Sequence, residues 1–287
     1  MSKNIEIKND KLSVVISTHG AELQSIKGND GTEFLWQGDE AFWSGRAPVL
    51  FPICGGLKDG KFTYREKEYS LTKHGFAKFS EFEGNLISST KACFTLKSDS
   101  KTLSVYPFEF VLTITYELIE NSIKVTYNIE NPSTEEMYFS IGAHEGYSCP
   151  EGIEEYCIEF DEPQTLDSYT VSGILMSDKT VRIAENTKTL PLKYEYFTED
   201  ALVFKNVGFN KVFLTNKKSG KKITVSFPGF NNFLIWTVPG AKYVCLEPWC
   251  GYPDTVNSDG DFTKKDSVVK LGKGSLYALS HTISFEG

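Results

Sequence analysis

Phe110-Val111-Leu112-Thr113-Ile114-Thr115-Tyr116-Glu117-Leu118-Ile119-Glu120-Asn121-Ser122-Ile123-Lys124-Val125-Thr126-Tyr127-Asn128-Ile129 alternates apolar and polar residues on both sides of a Glu-Asn pair. A period of two is that of a strand with one face buried, and the central polar pair marks a turn, so the stretch predicts an antiparallel hairpin. The same period extends outward in both directions. Upstream it predicts strands at 5–7, 12–16, 22–26, 33–36, 62–64 and 91–97. Downstream it predicts them at 137–142, 156–160, 201–204, 212–215, 223–227, 233–238, 243–246 and 275–283. No stretch of ten residues sustains helical spacing, and Asp39-Glu40-Ala41-Phe42-Trp43 offers one helical turn at most. Residues 161–200 carry the weakest pattern and are expected to form a long loop with short strands. Many short strands without βαβ alternation predict an all-β chain, a large antiparallel sandwich or barrel. With no linker, low-complexity tract or fixed-period repeat, residues 1–287 are expected to form a single domain.

Composition narrows the function. A formal net charge of -8 and a sequence pI of about 5.2 argue against nucleic acid or an anionic membrane as partner, since both need clustered cations. Aromatic residues make up 14% of the chain, which suits β packing and also suits stacking on sugar faces. The six cysteines show no C-x-x-C pair or zinc-like spacing, and Cys93 and Cys245 read as small core residues. The N-terminal residues lack a signal-peptide apolar region, and no apolar run reaches the ~18 residues of a membrane span. A reducing cytoplasm with free thiols is the expected setting.

Among candidate reactive groups, Glu247 is distinctive. It follows the apolar run Tyr243-Val244-Cys245-Leu246 and precedes Pro248-Trp249-Cys250-Gly251-Tyr252-Pro253. Pro248 is expected to stop the strand, leaving one carboxylate beside aromatic residues at a sheet mouth. Of the four histidines, His19 and His281 read as structural or surface residues. His74, in His74-Gly75-Phe76-Ala77, and His144, in Gly142-Ala143-His144-Glu145, sit among small residues where backbone or ligand can approach. Either imidazole can exchange a proton near neutral pH. Arg46 offers a multi-donor fork and Asp200 a carboxylate for hydroxyl groups, while a surface cation and a turn cap are their ordinary alternatives.

The order of these pieces resembles the aldose 1-epimerase (galactose mutarotase) family, in its LacX-type branch. The resemblance runs through Gly20-Ala21-Glu22-Leu23, Phe34-Leu35-Trp36, Ala47-Pro48-Val49-Leu50-Phe51-Pro52, His74-Gly75-Phe76-Ala77 and Gly142-Ala143-His144. It continues through Asp200-Ala201-Leu202 and Ile235-Trp236 to Glu247-Pro248-Trp249-Cys250-Gly251. It implies a galactose mutarotase-like β-sandwich that interconverts the anomers of a small aldose such as galactose or glucose, with no cofactor and no metal. Carried across position by position, it implies Glu247 as general base and His144 as general acid. It also implies that His74, Asp200 and Arg46 hold sugar hydroxyls, with Trp236 and Trp249 lining the pocket. Opening the hemiacetal requires taking the O1 proton and protonating ring oxygen O5, each transfer being worth about 10²–10⁴-fold. Trp249 and Tyr252 are then expected to restrict water without burying Glu247 fully.

Two positions depart from the family pattern. Glu145 follows His144 where relatives commonly have Pro, placing a second carboxylate that either raises the imidazole pKa or faces solvent. Gly56 stands where relatives of this branch often carry a basic residue, which weakens a sugar-phosphate substrate. A hexose-6-phosphate 1-epimerase would need converging cations, for which Lys58, Lys73 and Lys78 are candidates. A carbohydrate-binding protein would need the pocket but no paired acid and base. A metal oxygenase would use His74, His144 and Glu247 as ligands, and a glycosidase would use Asp200 and Glu247.

Overall fold

The computed structural model describes residues 2–286. The hairpin forms as the alternation predicts, from strands Val111–Ile119 and Ser122–Glu130 joined at Glu120-Asn121. Leu112, Ile114, Tyr116 and Leu118 lie directly opposite Ile129, Tyr127, Val125 and Ile123. All eight side chains are buried, so one face of the ribbon packs into the core and the polar set between them faces outward.

This hairpin belongs to a 14-stranded antiparallel sheet. To one side lie Lys91–Lys97 and Glu83–Ser88. To the other, in spatial order, lie Leu276–Glu286, Lys222–Ser226, Lys211–Asn216, Tyr156–Ser172, Leu202–Lys205, Asn232–Trp236, Tyr243–Cys250 and Ile141–Gly142. A three-stranded sheet of Asn4–Lys8, Leu12–Ser17 and Leu23–Gly28 packs near the Glu83–Ser88 end, and two two-stranded sheets complete the architecture: the hairpin Lys61–Tyr64 with Lys67–Ser70, and Met137–Phe139 with Val269–Leu271. Phe51, Phe94, Tyr106, Phe110, Tyr116 and Phe139 are fully buried between the layers. Each such ring contributes on the order of 1.5–3 kcal/mol on leaving water.

Three local expectations are corrected. Among the described residues the α-helix is Ser100–Val105, which the periodicity does not mark; Asp99 accepts from the Thr102 N–H at 2.8 Å and Thr102 Oγ1 accepts from the Asp99 N–H at 2.8 Å, a reciprocal cap that starts a helix too short to show periodicity. Residues 39–43 form a turn closed by Trp43 N–H donating to Asp39 C=O at 2.7 Å. The weakly patterned region is a pair of 17-residue strands, Tyr156–Ser172 and Leu175–Pro191. Their outer part is exposed on both faces, so no apolar alternation is required, and register shifts between Glu159 and Gln164 accommodate Pro163.

The third correction creates the site. The strand carrying Glu247 does not stop at Pro248 but runs as Tyr243–Cys250, buried throughout. On one side it pairs with Asn232–Trp236. On the other its partner is interrupted: Gly142 pairs Trp249 and Glu145 pairs Leu246, leaving Ala143 and His144 in a gap. Ala143 N–H donates to Pro248 C=O at 3.1 Å. The N–H and C=O of one strand residue point the same way, so the donor that proline lacks falls at the gap and costs no ladder bond.

Candidate active site

Interrupting the neighbouring strand lets His144 face Glu247 across it. His144 Nε2 lies 3.3 Å from Glu247 Oε2. Both groups line a cavity of about 240 Å³, together with His74, Asp200, Trp236 and Trp249. Glu247 is only 1% exposed, so the expectation of a partly solvated carboxylate is overturned: the strand buries it from below and the aromatic residues from the sides.

Packing fixes each ring. Trp43 stacks on His144 with centroids 5.1 Å apart, and Trp236 meets the same imidazole edge-on at 5.7 Å. Trp249 Nε1 donates to Ala143 C=O at 3.0 Å, orienting the indole along the wall. A Cβ at position 142 would stand 2.6 Å from Trp249 Cδ1, so glycine there is what allows the indole to lie against the strand. His74 Nδ1 accepts from the Gly55 N–H at 3.1 Å, which places the ring proton of neutral His74 on Nε2.

Burial sets the protonation. It pushes the Glu247 carboxyl well above the carboxylate range; Lys73 opposes that shift, and Asp200 and Glu145 add to it. Burial pushes His144 down to about 3, with Lys73 and Lys78 acting in the same sense. His74 is held well below its ordinary value, first by burial and then by His144. Both shifts favour the uncharged pair, with the proton on the carboxyl.

This has a measurable sign. A carboxyl with a raised folded pKa contributes stability below its ordinary value of 4.5 and loses it as pH rises above that. Glu247→Gln cannot ionise, so its unfolding midpoint should gain on the wild type as pH rises from about 4.5 towards neutrality. A gap between the two melting temperatures that stays constant over that range would contradict the shift. His144 acts oppositely: its folded pKa is depressed, so its contribution is lost as pH falls from 6.5 towards about 3 in both proteins.

Other predicted residues are placed differently. Arg46 does not line the cavity; its Nη1 donates to Gln24 Oε1 and its Nε is buried without a partner. Its backbone supports the site instead, because Arg46 C=O accepts from the Gly146 N–H at 2.8 Å on the strand that follows His144. Tyr252 is buried in a cluster with Leu50, Cys54 and Trp249 and stays off the cavity wall. Glu145 neither faces solvent nor touches His144. Strand alternation sends it to the opposite face, where it lies 3.1 Å from His281 Nε2 in a fully buried pair.

Several wall residues escaped sequence reasoning. Trp43 sits in a polar turn and gave only the weak signal of a lone indole between Phe42 and Gly45. Val171 and Ile174 reach the cavity from the tip of the long ribbon. A Cβ at position 56 would stand 2.7 Å from Ile174 Cδ1, so Gly56 leaves the space that this side chain occupies. Lys73 and Lys78 line the cavity, whereas Lys58 turns away to Ser258 C=O at 3.1 Å. Among the described residues, His144, Cys245 and Glu247 place three metal-competent donor atoms within 4.8 Å of one another; His74 is outside that group.

The chain is similar to known proteins along nearly its whole length. The aldose 1-epimerase family model matches residues 3–283. Protein LacX of Lactococcus lactis subsp. lactis, plasmid form, is 34% identical over 281 residues, covering 93% of this chain and 94% of its own. A galactose mutarotase related enzyme from Lactobacillus acidophilus superposes with a TM-score of 0.94 at 31% identity, over 99% of this chain and 98% of that one. A galactose mutarotase-like protein from Lactobacillus casei gives 0.93 at 26% identity, over 99% and 100%. The fold is galactose mutarotase-like.

Proposed function

Because the chain belongs to the aldose 1-epimerase family, we propose that it interconverts the α and β anomers of a free aldohexose by acid–base ring opening and reclosure. The observation that carries this is the 3.3 Å approach of Glu247 and His144 at one cavity wall. O1 and O5 are bonded to the same carbon, so the group that takes one proton and the group that gives the other must be close together. Binding alone needs no such pair.

Glu247 acts as base and His144 as acid. Burial favours the proton on the carboxyl. Its transfer to the imidazole produces carboxylate and imidazolium without changing the net charge, and sugar hydroxyls entering the cavity supply the polar contacts that favour this charged form. The carboxylate removes the O1 proton while the imidazolium protonates O5. Rotation about C1–C2 exposes the other carbonyl face, and reclosure reverses both transfers. His74, with Nε2–H free to donate, and Asp200, with one carboxylate oxygen held by the Ala201 N–H at 2.8 Å, orient the hydroxyls. Trp236 and Trp249 pack the apolar sugar face.

The family match over nearly all the chain supports one catalytic domain. Six unpaired cysteines suit a reducing, cytoplasmic setting. A second reading, hexose 6-phosphate as substrate, is favoured by Lys73 and Lys78 at the cavity. Exchange spectroscopy on equilibrated glucose, galactose and their 6-phosphates tests both: faster α–β exchange is expected on a free sugar. A rate increase confined to the phosphates would select the second reading, and none on any sugar would leave only a binding protein.

A further inference from the structure

We propose that His144, Cys245 and Glu247 form a binding site for a thiophilic divalent cation of the zinc class. Cys245 and Glu247 are two residues apart on the strand Tyr243–Cys250, so their side chains point to one face, and His144 meets them from the interrupted neighbour. The three donor atoms lie within 4.8 Å of one another, with imidazole and carboxylate already at 3.3 Å. A tetrahedral zinc with bonds of 2.0–2.3 Å needs donors roughly 3.3–3.8 Å apart, so closing the site takes about 1 Å of movement.

Two further observations point to a ligand. Glu247 Oε2 is buried with His144 Nε2 at 3.3 Å facing it, and no other hydrogen-bond partner satisfies that oxygen, so an ion bound between the two would take both atoms as ligands. Charge also balances: a thiolate and a carboxylate carry two negative charges against the two positive charges of the ion, with the thiol and carboxyl protons leaving to solvent as the bonds form. Trp36, Trp43 and Trp236 pack against the buried cluster of Ala241, Tyr243 and Cys245, so the thiol sits in an apolar surround. An imidazole, a thiolate and a carboxylate leave the fourth position to water or a sugar oxygen entering through the cavity.

Metal binding stands on this geometry alone. Its consequence, reversible inhibition competing with sugar, rests on the acid–base assignment of His144 and Glu247. The test is cadmium and zinc titration of the chelator-treated protein, following thiolate-to-cadmium absorption and, for zinc, heat. One ion per chain with a thiolate band is expected. Cys245→Ser should remove the band and weaken binding by more than ~100-fold, exceeding the ~10–100-fold cost of losing an outer partner. Glu247→Gln, which keeps the thiol, should also weaken binding, so the test survives if the serine variant fails to fold. No bound ion, or a band that persists in Cys245→Ser on the other five cysteines, would overturn the site. Tight metal binding by a protein without epimerase activity would refute the proposed function and leave this site standing.

Discussion

Glu247→Gln should abolish anomer interconversion, with kcat falling by about 10²–10⁴-fold while the fold is kept. The substitution preserves volume inside a strand that is buried along its whole length, so packing is conserved and only the capacity to accept a proton is removed. Loss of the partner imidazole, His144→Gln, should cost a similar factor. The double variant should lose little beyond either single one, because acid and base act in one coupled transfer. Initial rates by polarimetry decide it, with far-ultraviolet circular dichroism as the check on folding. Retention of more than about a tenth of the rate in Glu247→Gln would exclude the carboxylate as base.

The second large effect lies behind the cavity. Asp254 Oδ1 and Lys265 Nζ form a 2.5 Å ion pair with both side chains almost wholly buried. Burial pulls the lysine pKa down and Asp254 is the main group holding it up. The same aspartate binds the Lys58 N–H through Oδ2 at 3.0 Å, while its backbone joins Gly56 and Met176 at 2.9 Å each. One residue thus ties the ribbon that carries Ile174 to the loop that makes room for it. Asp254→Ala leaves a buried ammonium uncompensated and should cost about 3–5 kcal/mol. For a chain of this size that lowers the melting temperature by roughly 10 °C. Asp254→Ala combined with Lys265→Met should recover much of the loss, since the pair is far more costly to break than to replace. A fall below ~1 kcal/mol in the single variant would show that the lysine finds other compensation.

These two sites show what the sequence makes legible. The hairpin Val111–Glu130 is read correctly because its alternation reports a single buried face, and burial there is the whole cause of the pattern. The long ribbon is missed for the converse reason: residues 178–182 are exposed, so nothing apolar marks the strand. Pro248 misleads because a strand can carry proline wherever its neighbour breaks, and the break at Ala143-His144 is a tertiary fact. His74, His144, Asp200 and Glu247 are brought to one cavity, yet only their order along the chain, through the family resemblance, ties them together beforehand. Arg46 is drawn off to Gln24, and Glu145 finds His281 in the core; neither partner is visible from local sequence. Trp43 is hidden by its polar turn, because loop chemistry says nothing about which ring will fold back over a site.

Acid–base interconversion of anomers is the central claim, and polarimetry of freshly dissolved α-D-glucose and α-D-galactose tests it most directly. The wild-type protein, treated with EDTA, should speed the approach to the equilibrium rotation in proportion to its concentration without changing the end point, and Glu247→Gln should not. An approach to equilibrium no faster than in buffer, for both sugars and for their 6-phosphates, would contradict it.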